Sequence, residues 1–139
     1  MKKYILTSAV FALLAVFAFA GDDVPAVVKT KFASLHPDIK KPKWEKEGAN
    51  FEAEFEQNEV EMSLLFDASG NVLETETEIK VSELPKGVTD YCSKNFAGKK
   101  IKEASKIVDS KGTVTYEAEI GGADQIFDAN GNFIKSQKE

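Results

Sequence analysis

FDASGNVLE, residues 66–74, and FDANGNFIK, residues 127–135, spell nearly one phrase twice in a chain of 139 residues. Asp, Gly and Asn in this order suit either a calcium loop or a tight turn. An EF-hand loop needs oxygen ligands at positions one, three and five, a glycine at six and a carboxylate at twelve. Counted from Asp67, the residues Ser69, Asn71 and Glu78 fall at three, five and twelve. Position six is Val72, however, and the glycine comes two places early at Gly70. The second copy carries Phe133 at position six. Apolar residues resume with strand spacing on both sides, so the phrase reads as a hairpin turn, with Asp opening it and Gly taking the left-handed position.

Outward from this phrase the repetition continues. VPAVV (24–28) answers LPKGV (84–88), and FEAEF (51–55) answers YEAEI (116–120), at an offset near 60 residues throughout. A recurrence of this kind is the mark of an internal duplication. Val24, Val27, Val28, Phe32 and Leu35 recur at helical spacing, with Pro25 in the first turn and His36-Pro37 as the stop. Leu84-Pro85 opens the second helix, Val88, Tyr91, Cys92 and Phe96 are its apolar marks, and Ala97-Gly98 closes it. Four strands follow each helix: from residue 43, 51–55, 60–66 and 72–79 in the first copy, and 101–109, 114–120, 124–127 and 133–136 in the second. The expected fold is α+β, two tandem α-β4 repeats forming one antiparallel sheet, or two abutting ones, with both helices on one face.

The ends set further bounds. Lys2 and Lys3 precede an apolar run over residues 4–19, and Ala18-Phe19-Ala20 supplies a small-x-small cleavage pattern. Residues 1–20 are therefore expected to be a secretory signal peptide, followed by repeats over 21–82 and 83–139. The run is short for a membrane span, and acidic Asp22 and Asp23 follow it. The expected destination is the periplasm, with no membrane attachment after cleavage. Loss of the two lysines takes the formal charge from −5 to −7. That acidity argues against nucleic acid as a partner. Every basic residue other than His36 is Lys, which removes the forked guanidinium used for bidentate grip on phosphate or carboxylate. Cys92 is the single cysteine, so no intrachain disulfide can form.

The LP-opened helix, the lysine-rich strand bearing Trp44, the YEAEF-like strands and the repeated FDxxGN turn together resemble the PepSY-like family, also described as beta-lactamase-inhibitor-like. The resemblance covers residues 24 to the C-terminus. It implies a fold of two tandem helix-and-sheet units and a periplasmic setting, without an established activity. In the similar inhibitor the concave sheet surface holds an enzyme, and PepSY domains are suspected of restraining peptidases. The second repeat departs from the pattern: Ala104 or Ser105 stands near the place of Trp44, and Phe96-Ala97 replaces His36-Pro37.

Catalytic chemistry finds little footing. Cys92 reads as a small buried hydrophobe, and His36 caps a helix end. No His/Cys metal cluster or base–nucleophile pair emerges, and no serine lies in a G-x-S-x-G context. No catalytic residue, metal ligand or cofactor is expected. Glu52, Glu54, Glu61, Glu74, Glu76, Glu78, Glu117 and Glu119 alternate with apolar residues as a solvated sheet face requires. The functional reading of that face is binding, with Trp44, Glu52, Glu54, Leu65, Glu117 and Glu119 as the contact residues. The expected function is non-enzymatic engagement or inhibition of an unidentified protein or peptide of the cell envelope. The alternatives are a structural or assembly accessory without a discrete ligand and a cation-binding module on the acidic face.

Overall fold

A computed structural model describes residues 23–138. The expected signal peptide, residues 1–20, lies outside them. The elements run α1 (Ala26–Leu35), β1 (Lys43–Glu47), β2 (Asn50–Gln57), β3 (Val60–Phe66), β4 (Val72–Glu78), a 3-10 turn (Val81–Glu83), α2 (Lys86–Asn95), β5 (Glu103–Asp109), β6 (Val114–Glu119), β7 (Asp124–Asp128) and β8 (Phe133–Gln137). Strand order is chain order, β1 to β8. The fold is the expected α+β arrangement of two α-β4 repeats. The described residues form two compact units that divide between Thr75 and Glu76, inside β4.

In the first unit, Pro25 stands at the N-cap of α1 with its φ already near the helical value, and His36 ends the helix by donating its N–H to the Phe32 carbonyl at 2.9 Å. The buried stripe is narrower than the apolar spacing suggests. Val24, Val28 and Phe32, one turn apart, enter the core, whereas Val27 and Leu35 are exposed. The core completes with Phe51, Ala53, Phe55, Leu64 and Phe66 from β2 and β3. Phe32 meets Phe55 edge-on at a centroid distance of 5.1 Å and Trp44 at 5.6 Å. His36 packs beside Phe55 and places Nδ1 2.9 Å from Gln57 Oε1, so the histidine belongs to this aromatic cluster.

The second unit repeats the plan about 60 to 65 positions later. Leu84, Val88 and Cys92 form the helical stripe against Ala104, Ala118, Ile120 and Phe127. Helix α2 ends at Asn95, two residues before the expected Ala97-Gly98 stop, when the Phe96 N–H bonds the Cys92 carbonyl at 2.9 Å. Ala104 occupies the place of Trp44, since Ala104 pairs with Ala118 as Trp44 pairs with Ala53. The aromatic contact on Phe127 comes instead from Tyr91 at 5.4 Å and Phe133 at 5.9 Å.

The repeated phrase is a turn in both places. Asp67 Oδ1 accepts the N–H groups of Ser69 and Asn71 at 2.8 and 2.9 Å, and Oδ2 accepts the Asn71 amide at 2.8 Å. Asp128 does the same for Asn130 and Asn132. These bonds, with Asn71 and Asn132 first among them, hold both aspartates below the usual carboxylate range. DSKGT (109–113) forms a third such turn, with Asp109 Oδ1 accepting from Lys111 and Thr113 at 2.8 Å each. Gly70 and Gly131 adopt φ of +86° and +84°, which only glycine takes without strain. They also lie against the helices. A methyl group on Gly70 would come 3.3 Å from the Val27 carbonyl oxygen.

Candidate functional site

Cross-strand register sorts the first unit's side chains by face, because directly paired residues point the same way. Trp44 pairs with Ala53, Phe51 with Phe66 and Phe55 with Met62, and this set packs under α1. The opposite, helix-free face holds Lys43 paired with Glu54, Glu45 with Glu52, and Glu52 in turn with Leu65. Trp44 is thus on the helix side, a correction to its grouping with Glu52, Glu54 and Leu65. The period of two decides it: Trp44 is one residue removed from both Lys43 and Glu45.

In the second unit the helix-free face carries Glu103 paired with Glu119, Ser105 with Glu117, Glu117 with Ile126, and Glu119 with Asp124. Glu52 beside Leu65 and Glu117 beside Ile126 are equivalent pairs. Glu54 and Glu119 are equivalent too, each two residues further along its strand.

The alternation suggested solvated carboxylates, and here the structure differs. Glu45, Glu52, Glu54, Glu117, Glu119 and Asp124 are all buried, Glu54 to 2% exposure. Leu65, Ile107 and Ile126 on the same face are buried as well. Polar and apolar alternation records which face a residue takes, and both faces of β2 are buried from Phe51 to Phe55.

Burial of a carboxylate requires compensation. Lys43 supplies it in the first unit, bonding Glu54 Oε2 at 3.1 Å and pairing with Glu45, while its own stem stays 56% exposed. Lys102 does so in the second, at 2.8 Å from Glu119 Oε1. The compensation is incomplete, because Glu45 Oε2, Glu54 Oε1 and Glu119 Oε2 are buried without a hydrogen-bond partner. Burial pushes the Glu54 carboxyl up, against the pull of Lys43. Glu47 is raised by burial and then by the fields of Glu45, Glu54 and Glu74. Burial opposes the charge on Lys43, but the hydrogen bonds to Glu45 and Glu54 outweigh it and raise that ammonium's pKa.

Sequence reasoning missed Glu45 and Lys43. The signal was present in KWEKE (43–47), whose period-two spacing puts Lys43, Glu45 and Glu47 on the face away from Trp44. A hollow of about 390 Å³ in the second unit is lined by Cys92, Ser93, Lys99, Ile101 and Ile120 among others. Burial alone pushes the Cys92 thiol up, so the adjoining lysine does not make it a nucleophile.

The profile of the PepSY-like family, described as "Putative beta-lactamase-inhibitor-like, PepSY-like", matches residues 16–74 and again 61–135. The chain belongs to this family, whose profile it matches twice. Among solved structures it is similar to a protein of Bacteroides eggerthii described as a putative periplasmic protein. The TM-score is 0.73 at 15% identity, covering 82% of this chain and 88% of that one. A protein of the DUF2874 family from Bacteroides uniformis gives 0.70 at 17% identity, covering 81% and 88%. A BLIP-like protein from Bacteroides fragilis gives 0.59 at 22%, covering 81% and 85%. At these identities the likeness is one of fold. No curated protein matches the sequence.

Proposed function

We propose that the chain is a non-enzymatic binding protein of the periplasm that holds a lysine-bearing segment of a partner protein on its helix-free sheet faces. The observation that carries this reading is the repeated pairing of an exposed lysine with a buried carboxylate. Lys43 reaches Glu54, and Lys102 reaches the equivalent Glu119, with the second oxygen of each carboxylate left without a hydrogen bond. Each unit therefore displays how a long, solvated side chain delivers an ammonium to that face. A partner's lysines would fill the remaining oxygens in the same way. Leu65 and Ile126 stand beside Glu52 and Glu117 on the same faces and pack beneath this surface. The periplasmic setting is supported by the N-terminal sequence pattern and by the descriptions of similar structures.

The test is calorimetric titration of the purified chain with an extended peptide of alternating lysine and leucine. Saturable binding that is lost in the Glu54→Gln, Glu119→Gln double variant is the expected result. Equal binding by the double variant, or equal binding of a glutamate–leucine peptide, would remove the proposal.

A further inference from the structure

Glu45, Glu52 and Glu54 come together on the helix-free face of the first unit, and each contributes a carboxylate oxygen within 4.8 Å of the others. Glu45 and Glu52 are direct cross-strand partners, an arrangement in which like charges ordinarily repel. All three are buried. The Lys43 ammonium is shared between Glu45 and Glu54.

The independent observation is the unfilled acceptors. The Glu54 side chain is 1% exposed and Glu45 is 10% exposed, yet Glu54 Oε1 and Glu45 Oε2 have no hydrogen-bond donor. A buried carboxylate oxygen left this way is costly unless something positive meets it. We propose that Glu45, Glu52 and Glu54 form a binding site for a hard divalent cation, with Ca²⁺ the best fit.

The donor set is all carboxylate oxygen, which suits Ca²⁺ and Mg²⁺ and does not suit soft metals. Ca²⁺ is favoured over Mg²⁺ because it accepts an irregular set of several carboxylates, whereas Mg²⁺ demands near-octahedral geometry and keeps most of its waters. Lys43 is the resident competitor, and an arriving ion releases its ammonium to solvent. The second unit is the natural contrast. Ser105 stands where Glu45 does, paired with Glu117 as Glu45 is with Glu52, so no equivalent trio forms there. The turns at Asp67, Asp109 and Asp128 are not rivals, because their carboxylates are taken up by the turns' own N–H groups.

An ion and a partner's lysine would compete for Glu54 Oε1, so the ion is titrated without any peptide and its result stands apart from that of the peptide titration. Calorimetric titration of CaCl2 into the chelator-treated chain is expected to show one saturable site, with a dissociation constant of about 0.1–1 mM, as in extracellular calcium modules. MgCl2 is expected to bind at least about tenfold more weakly. Glu54→Gln and Glu45→Gln should each abolish saturation, with helix and strand content checked by circular dichroism so that misfolding is recognised. Lys43→Gln should instead tighten binding, which loss of structure could not do. Absence of saturable heat up to about 10 mM CaCl2 would overturn the proposal. So would wild-type affinity in both glutamine variants, equal affinity for MgCl2, or weakened binding in a folded Lys43→Gln chain.

Discussion

Gly87, in the first turn of α2, lies backbone to backbone with Gly131 of the FDANGN turn: a methyl group on Gly87 would stand 2.7 Å from the Gly131 carbonyl oxygen. The repeated phrase therefore both reverses the chain and receives its unit's helix. Gly70 plays the same part beside Val27 in the first unit.

A reversal of the usual glycine effect follows. Replacing glycine by alanine inside a helix ordinarily stabilises it by about 1 kcal/mol. Gly87→Ala should destabilise the protein, by roughly 1–3 kcal/mol, because a backbone oxygen cannot swing aside as a side chain can. Gly131→Ala adds the cost of its φ of +84° to contacts of 3.0 Å with Gly87 and 3.1 Å with Val88. Gly112, at +82° with open space around it, isolates the conformational part, about 1–2 kcal/mol. Denaturant midpoints should fall further for Gly131→Ala than for Gly112→Ala; equal losses would refute the helix contact.

Phe32 is the centre of the first unit's aromatic cluster, touching His36, Trp44 and Phe55. Phe32→Ala should cost about 3–5 kcal/mol. The single tryptophan reports the change directly, since Trp44 packs on the ring being removed. A red shift of its emission under native conditions is expected. Substitutions at Glu54 or Glu119 should leave that emission unchanged, because they lie on the other face.

Stability should respond to pH in two opposing stages. Glu54 and Glu47 are raised in the folded protein, chiefly by burial, so the folded state holds more protons than the unfolded one as these groups titrate. Their contribution is present at low pH and is lost as pH rises through their folded values, so stability should climb as pH falls from neutral toward about 5. Asp67, Asp109 and Asp128 are lowered by their turn hydrogen bonds, and they work in the other sense. Their contribution is lost as pH falls through their folded values, so stability should drop again below about pH 4. Glu54→Gln should flatten the first stage and leave the second intact, as read by melting temperature across the pH range in the absence of divalent ions.

Most of the architecture was legible because it rests on local rules stated twice. Pro25 and Pro85 mark where helices begin, period-two spacing marks the strands, and FDxxGN marks a turn whose misplaced glycine excludes an EF-hand. The face of each glutamate was legible for the same reason. Exposure was not, since alternation gives a residue's direction and the burial of Glu52 or Glu117 depends on what surrounds that face. Trp44 was misplaced by reading it near the acidic strand, when one step of register carries it to the other side. The Glu45–Glu52 pairing could not be read without the register of β1 on β2, and the carboxylate trio depends on that pairing.

The two cores differ at equivalent positions, and the difference predicts how each tolerates change. Cys92, Ala104 and Ile120 stand in the second unit where Phe32, Trp44 and Phe55 stand in the first. Three large rings are replaced by three smaller side chains, and Cys92 and Ile120 line the hollow of about 390 Å³. Cys92→Met places a longer, flexible side chain toward that space. It should raise stability, by about 0.5–2 kcal/mol, as cavity-filling substitutions commonly do. The reciprocal exchange, Phe32→Cys, removes a ring packed on His36, Trp44 and Phe55 and should cost about 2–4 kcal/mol. Opposite signs in the two denaturation midpoints are the expected result. A destabilising Cys92→Met would mean that the hollow is closed to the side chain at position 92.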